Sequence, residues 1–247
     1  MKVSIVIPLY NYAQYVGHCI DSCLRQNFKD DYEIIVVDDG STDESWLRAN
    51  EFVRQSNKVK LIKHKRNKGY SVAKNTGIIA STGDYVALID ADDMLTLDSI
   101  RVRANFLDQH SPFQMVYGFA YSIKGDGGYD YWEKRVYKLS LCNQPRKIHS
   151  QTVMVRRSVY EKYGLYDEDL RSKSDNEMWH RLLKNAQINP WLIQTPPLAF
   201  YRRHNESMIE YRKRNPDYSS EQLRICDMKK ALREKEGITR ENTRFMK

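Results

Sequence analysis

The feature that most constrains the fold of this chain is a series of mostly apolar runs without polar alternation. Runs at residues 3–9, 33–37 and 85–89 are typical of strands buried on both faces of a parallel sheet. The segments between them place apolar residues every three or four positions, which predicts helices. This alternation predicts an α/β fold: a doubly wound, Rossmann-like and mostly parallel sheet with helices on both faces. The first helical face consists of Tyr15, Val16, Cys19, Ile20, Cys23 and Leu24.

Shorter segments complete the prediction. Asn11 and Ser41 are predicted to cap the first two helices, with Gln14 and Glu44 as their capping-box partners. Residues 124–143 have no clear period and are predicted as a variable loop region. Further strands are expected at residues 59–62, 114–123, 152–155 and 191–201, the last one broken at Pro196. Further helices are expected at residues 70–80, 97–109, 159–163, 174–185 and 219–235.

Carboxylates follow two of the predicted strands. Asp38 and Asp39 come after the second strand, and Asp90, Asp92 and Asp93 come after the fourth. The carboxyl ends of parallel strands meet at one edge of a sheet, where such folds bind ligands. Because clustered carboxylates repel one another, a divalent cation that also holds a diphosphate would explain the second group. A solvated acidic turn, with Asp92 or Asp93 capping the next helix, explains it equally well.

Three single side chains have two interpretations each, and the residues alone leave them open. Asp39 either accepts the imide N–H of a uracil base or forms an Asx turn before Ser41. Asp175 either caps a helix or acts as the general base for a hydroxyl group. His204 either has a structural role or binds a metal ion such as Mn²⁺.

The formal charge of +8 is concentrated near the C-terminus, where residues 202–247 hold 13 Lys and Arg against 8 Asp and Glu. A basic tail of this kind could meet anionic lipid, a phosphorylated acceptor or nucleic acid, and a solvated helical face is an equally good explanation. The absence of a bilayer-length apolar run and of a signal-peptide pattern predicts an intracellular protein. Cys19, Cys23, Cys142 and Cys226 have no zinc-type spacing and are expected to be buried free thiols.

Five segments, taken in order, carry a family resemblance: VSIVIPLYN, VVDDGSTD, NKGYSVAKNTGIIASTGDYVALIDADD, SDNEMW and YRRHNESM. Over residues 3–208 the chain resembles glycosyltransferase family 2, which has the inverting A-type fold. The resemblance implies a metal-dependent enzyme that uses Mn²⁺ or Mg²⁺. Such an enzyme would take the sugar from a nucleoside diphosphate sugar, with a UDP-sugar favoured. It would transfer this sugar to a hydroxyl of a glycan or of a lipid-linked acceptor, in the synthesis of cell-surface polysaccharide.

The resemblance also implies roles for single residues. The nucleoside would lie against Pro8, Tyr10 and Asp39, with Asp39 on the imide of the base, and Asp175 would be the catalytic base. Family members often have Glu before that base and Arg at position 74, whereas this chain has Ser174 and Lys74. Lysine offers a point charge in place of a bidentate fork. The other implied donor-binding residues are Asn67, Gly69, Lys74, Asp90 and Asp92. The implied metal ligands are Asp92, Asp93 and His204.

We therefore expect a catalytic domain at residues 1–208, with a donor half at 1–110 and an acceptor and base half at 111–208. A basic helical extension at 209–247 is expected to contact a membrane surface. The expected partners are the sugar donor and the acceptor, without nucleic acid, and the expected location is the cytoplasm at the inner face of the membrane.

Two alternatives remain. A sugar-nucleotide nucleotidyltransferase shares a similar sheet but usually opens with a glycine-rich basic loop, and no G-x-G-x-x-G or P-loop motif occurs here. A non-catalytic sugar-nucleotide binding protein would lack carboxylates of the motif, and here all of them are present.

Overall fold

The computed structural model describes residues 1–124, 132–133, 148–170, 173–185 and 188–236. A 3₁₀ turn occupies Ser150–Thr152, and a π-helical turn occupies Arg181–Asn185. The strands are β1 (Lys2–Leu9), β2 (Asp31–Asp38), β3 (Val59–Lys63), β4 (Tyr85–Leu88), β5 (Met94–Leu95), β6 (Met115–Gly118), β7 (Ala120–Lys124), β8 (Trp132–Glu133), β9 (Met154–Arg156), β10 (Pro190–Ile193) and β11 (Ala199–Arg203). The helices are α1 (Ala13–Leu24), α2 (Ser45–Gln55), α3 (Tyr70–Ala80), α4 (Ser99–Gln109), α5 (Arg157–Tyr163), α6 (Ser174–His180), α7 (Met208–Arg214) and α8 (Pro216–Glu236).

The main sheet has seven strands in the order β10-β6-β9-β4-β1-β2-β3. β3, β2, β1 and β4 run parallel, β9 is antiparallel to both of its neighbours, and β10 pairs parallel with β6. Leu9 and Asp38 are partners at the ends of β1 and β2. The prediction of a mostly parallel sheet is confirmed, and the carboxyl ends of β1, β2 and β4 share one edge.

Helices cover both faces of this sheet, as predicted. Successive side chains of a strand point to opposite faces. Ile5 and Ile7 of β1 therefore pack in the core with α1, α2 and α4, whereas Val6 packs in a second core with α3, α5 and α6. All three are fully buried, and burying a side chain of this size stabilises the fold by about 1.5–3 kcal/mol.

A second, four-stranded sheet has the order β5-β11-β7-β8. The single strand predicted over residues 114–123 is wrong, because β6 belongs to the main sheet and β7 to this smaller one. Phe119 lies between them, and its carbonyl accepts the N–H of Leu198 at 2.8 Å. β5 pairs antiparallel with β11, so residues 90–93 connect the main sheet directly to the smaller sheet.

The capping predictions for Asn11 and Ser41 are wrong. α1 begins at Ala13 and α2 at Ser45, and neither helix has a side-chain cap. Asn11 adopts a φ of 54°, and its Oδ1 accepts the N–H of Thr42 at 2.8 Å. In return, Ser41 Oγ accepts the N–H of Asn11 at 3.0 Å. Asn11 and Ser41 therefore link the loops after β1 and β2 and do not cap the helices that follow them.

The C-terminal part consists of α7 and α8. The predicted helix at residues 219–235 is confirmed within α8, and the short α7 before it was not predicted. Ser207 caps α7 by accepting the N–H of Glu210 at 3.4 Å. Within the part of the chain that the structure describes, no helix is both long and apolar enough to cross a bilayer.

Free and buried cysteines are found as predicted at Cys19, Cys23 and Cys226. Cys142 lies outside the described residues, as does most of the predicted loop region at 124–143.

Candidate active site

The acidic segment after β4 folds into a tight cluster. The N–H of Asp93 binds the carbonyl of Asp90 at 3.0 Å, and carboxylate oxygens of Asp90, Asp92 and Asp93 all lie within 4.8 Å of one another. Burial, and then the charge of Asp92, raises the pKa of Asp90 to about 7. The same two causes hold the pKa of Asp93 well above its usual range. Ionising the whole cluster is therefore unfavourable unless positive charge is added.

Two residues from the end of β11 and the loop after it hold this cluster. Arg202 donates its backbone N–H to Asp93 Oδ1 at 2.8 Å and its Nε–H to the Asp92 carbonyl at 2.9 Å. His204 Nε2 lies 2.9 Å from Asp92 Oδ2, and its ring packs against Tyr15 with the centroids 4.5 Å apart. Asp93 Oδ2 and His204 Nδ1 are buried without a hydrogen-bond partner in the described residues.

The residues of this cluster fit a hard divalent cation. Carboxylate oxygens are the preferred ligands of Mg²⁺, and imidazole nitrogen also suits Mn²⁺. The structure brings together Asp92, Asp93 and His204, the three predicted metal ligands. Asp90 lies in the same cluster, although the resemblance implied that it binds the sugar donor and not the metal.

Asp39, at the end of β2, lies in a second polar group. It is buried, and it accepts the backbone N–H groups of Lys68 at 2.9 Å and Gly69 at 2.8 Å. His64 Nδ1 lies 2.6 Å from Asp39 Oδ1. These bonds hold the predicted donor-lining segment, which includes Asn67, against the end of β2.

Glycine is required at two positions of this group. Gly69 has a φ of 105° and Gly40 a φ of 72°, a region that side chains with a Cβ rarely adopt. A Cβ at Gly40 would also meet the backbone of Arg66 at 2.6 Å. Of the other predicted nucleoside contacts, Pro8 is buried in β1, whereas Tyr10 is 42% exposed just beyond it.

Lys74 and Asp175 form a third group that joins α3 to the start of α6. Lys74 is fully buried, and its Nζ lies 2.5 Å from Asp175 Oδ1. The same Nζ lies 3.9 Å from the ring centroids of both Tyr70 and Tyr166, where cation–π attraction stabilises its charge. The Tyr70 hydroxyl also donates to Asp90 Oδ1, so one side chain touches both the buried lysine and the acidic cluster.

The segment before α6 is fixed to α3 by reciprocal hydrogen bonds. Asn75 Nδ2 donates to the carbonyl of Tyr166, and Asn75 Oδ1 accepts the N–H of Tyr166, each at 2.9 Å. Ser71 Oγ donates to the carbonyl of Leu170 at 2.6 Å. These bonds place Asp175, whose side chain is 26% exposed, beside the buried lysine.

Sequence reasoning missed Tyr70, Arg202 and His64. Tyr70 and Arg202 each lie beside a predicted residue, but their contacts join positions 20 and 109 residues apart, which spacing does not reveal. The position of His64 could have been noticed in the sequence, because it directly follows strand β3 in the same way as the acidic residues follow β2 and β4.

Comparison with known proteins decides the family. Residues 4–206 match the family model described as glycosyl transferase family 2. This chain belongs to glycosyl transferase family 2. The three polar groups described above lie within the matched segment.

A relative in Bacillus subtilis, the uncharacterized glycosyltransferase EpsJ, is 29% identical over 228 residues. That alignment covers 84% of this chain and 63% of the relative. This chain thus spans less than two thirds of the relative's length.

Two solved structures resemble the chain and show the A-type glycosyltransferase fold. Residues 1–349 of S. aureus TarS, in complex with UDP-GlcNAc, match with a TM-score of 0.66 at 18% identity, over 84% of this chain and 60% of that one. The mannosyltransferase PcManGT from Pyrobaculum calidifontis, in complex with GDP-Man and Mn²⁺, matches with a TM-score of 0.62 at 18% identity, over 83% and 57%.

Proposed function

We propose that this family 2 glycosyltransferase moves a sugar from a nucleoside diphosphate sugar, with uridine as the base, to a hydroxyl of a glycan or lipid-linked acceptor. The anomeric configuration is inverted, and the acceptor belongs to cell-surface polysaccharide synthesis. The observation that carries the proposal is the cluster of three close carboxylates at the sheet edge. Asp93 Oδ2 is buried without a hydrogen-bond partner in the described residues, beside two further carboxylates.

The proposed cation ligands are Asp92, Asp93 and His204. A bound Mn²⁺ or Mg²⁺ would neutralise the donor diphosphate and the charge that develops on the leaving nucleoside diphosphate. Asp93 Oδ2 and His204 Nδ1, which have no hydrogen-bond partner among the described residues, support this assignment. The Mn²⁺ in the complex of the PcManGT neighbour supports it as well.

The proposed nucleoside site lies at the ends of β1 and β2. Asp39 accepts the imide N–H of the base, the exposed ring of Tyr10 packs against it, and Pro8 lines the floor. Asn67 and Gly69 line the donor next to this site. The UDP-GlcNAc bound to the TarS neighbour supports a uridine donor.

The proposed base is Asp175. Its Oδ1 is held by Lys74 at 2.5 Å, which leaves Oδ2 to accept the proton of the acceptor hydroxyl. The hydroxyl oxygen attacks the anomeric carbon as the bond to the diphosphate oxygen breaks on the opposite face. Lys74 adjoins the donor segment and the base, while Asp90 contacts the ribose. Positioning of the two reactants supplies much of the acceleration.

We propose residues 1–208 as the catalytic domain, with the donor half at 1–110 and the acceptor and base half at 111–208. Residues 209–247 would form a basic extension that contacts the inner face of the membrane from the cytoplasm. Its support is the charge of Arg212, Lys213 and Arg214 in the last turn of α7. Binding to anionic vesicles that weakens with salt would support this contact, and no binding at low salt would contradict it.

Thermal shift measurements test donor binding. A ligand that binds only the folded state raises the melting temperature. UDP-sugars should raise it in the presence of Mn²⁺ and not with the metal chelated. Released nucleoside diphosphate would support transfer, whereas released pyrophosphate would support a nucleotidyltransferase.

The base assignment has its own test. Asp175→Asn should abolish transfer and leave Mn²⁺-dependent donor binding nearly intact, because the amide cannot accept the proton. Glu161→Gln, the same change of group on the surface of α5, is the control and should affect neither. Full turnover by Asp175→Asn would remove Asp175 from the mechanism.

A further inference from the structure

Hydrogen bonds from other residues of the chain already occupy most of the acceptor positions of the Asp39 carboxylate. A carboxylate has about four lone-pair sites, two on each oxygen. Oδ1 accepts the N–H of Lys68 at 2.9 Å and faces His64 Nδ1 at 2.6 Å. Oδ2 accepts the N–H of Gly69 at 2.8 Å. Counting the described residues, one acceptor position is left, and it is on Oδ2.

His64 is held at both ring nitrogens. It follows β3, where its backbone N–H binds the carbonyl of Asp38 at 2.8 Å, and it is only 7% exposed. Nε2 lies 3.0 Å from Thr76 Oγ1 on α3. Because an ionised carboxylate can only accept, Nδ1 carries a proton, and in the neutral ring Nε2 accepts the Thr76 hydroxyl. The ring therefore keeps its N–H directed at Asp39 Oδ1.

The number of open acceptor positions decides which bases a carboxylate can bind. Uracil and thymine present one ring N–H between two carbonyl groups. Guanine presents a ring N–H and an adjacent amino group, and these two parallel donors need both oxygens of a carboxylate to be open. A single open position satisfies the pyrimidine and leaves one guanine donor without a partner, which weakens binding.

We propose that His64 determines the base specificity of this transferase. By filling Oδ1, it limits Asp39 to one hydrogen bond from the base, so that the site binds a pyrimidine imide and discriminates against guanine. This inference depends on the proposed function, since it takes Asp39 as the base-binding residue. If His64 only linked β3 to α3, its replacement would alter stability without changing the preference among bases.

The test compares the dissociation constants of UDP and GDP by calorimetry in the presence of Mn²⁺. Wild-type protein should bind UDP about tenfold more tightly than GDP or better. His64→Leu removes the donor to Oδ1 and should bring the two constants to within about threefold. His64→Asn is the matched control, because its Nδ2 can replace Nδ1 as the donor, and it should keep the wild-type ratio.

Thr76→Val provides a variant that leaves the histidine in place. It removes the hydroxyl that orients the ring, and the ratio should fall by a smaller factor than in His64→Leu. Melting curves of all variants show whether each remains folded, and if His64→Leu does not, Thr76→Val and His64→Asn decide.

Three results would overturn the inference: a wild-type preference for GDP, an unchanged ratio in a folded His64→Leu or Thr76→Val, or a ratio lost in His64→Asn. The second and third results leave the proposed function intact, whereas a wild-type preference for GDP would also remove its uridine assignment. Wild-type protein that binds neither nucleotide would overturn the proposed function as well.

Discussion

Asp39 after β2 and Asp93 after β4 are both buried aspartates at the same edge of the main sheet, yet their surroundings differ. Asp39 accepts two backbone N–H groups and faces a histidine. Asp93 accepts one backbone N–H on Oδ1, and its Oδ2 has no hydrogen-bond partner in the described residues. The fold thus stabilises the charge of Asp39 by itself, whereas the charge of Asp93 and its neighbours calls for a ligand.

The largest effect is expected when the acidic cluster loses Asp92. Asp92→Ala removes a proposed cation ligand, and transfer should fall by about a thousandfold or more, as when a main charge-stabilising group is lost. The Mn²⁺-dependent rise in melting temperature with UDP should disappear too. Asp21→Ala, on the surface of α1, is the control. Retained Mn²⁺-dependent donor binding in Asp92→Ala would contradict the proposed ligand set.

The next effect is a loss of stability when Asp39, after β2, is replaced. Asp39→Ala leaves the backbone N–H groups of Lys68 and Gly69 and one histidine nitrogen without their acceptor. Lost charged hydrogen bonds of this kind cost about 1.5–3 kcal/mol each, so the free energy of unfolding should fall by about 3 kcal/mol. Urea denaturation without nucleotide or metal measures it. A loss below about 1 kcal/mol would show that Asp39 is not held as the contacts indicate.

The opposite sign is expected for Asp93→Asn. Removing one charge from three close carboxylates relieves repulsion, and the amide oxygen can still accept the N–H of Arg202. Without metal, the free energy of unfolding should rise by about 1 kcal/mol. The stabilisation by Mn²⁺ should be lost at the same time. If Asp93→Asn and Asp39→Ala change stability in the same direction, the contrast between the two strand ends is wrong.

The last effect is a dependence on pH. The pKa of Asp90 is about 7 in the folded protein against 3.8 as its ordinary value, so the folded state binds more protons than the unfolded state between these values. The free energy of unfolding should therefore fall as the pH rises through this window. Glu33 acts in the opposite direction, but its window, from about 2 to 4.5, ends below pH 5.

Measurements between about pH 5 and pH 7 therefore exclude Glu33. Within this range His149 opposes the cluster, because burial lowers its pKa from the ordinary 6.5. Saturating Mn²⁺ should flatten the slope, because a bound cation favours the ionised carboxylates. Asp90→Asn should reduce the slope without metal, although Asp93, whose pKa is also raised, can still contribute. A slope that is unchanged in this variant would assign it to other groups.

Periodicity and strand-end chemistry predicted much of the fold and of the candidate site. α3 was predicted at 70–80 and is found at Tyr70–Ala80, because its apolar spacing and the preceding glycine are local signals. The closeness of Asp92 and Asp93 follows from their position just after a buried strand. Both kinds of inference use properties that neighbouring residues in the chain determine.

Partners distant in sequence could not be predicted. Asn11 and Ser41 have good capping side chains, but they bind the opposite loop, 30 and 31 residues away. The ion pair of Lys74 with Asp175 joins residues 101 positions apart. Hydrogen bonds of this kind depend on how the helices are placed on the sheet, and no local pattern encodes that placement.

The pairing of β5 with β11 has a consequence for engineering. Met94 and Leu95 come immediately after the acidic cluster, and their partners Phe200 and Ala199 come shortly before Arg202 and His204. A one-residue slip of this pairing would move the arginine amide away from Asp93 and turn its side chain to the opposite face. Chimeras that exchange segments of residues 111–208 between relatives should therefore keep this short ladder in register, even where every other strand of the small sheet is replaced.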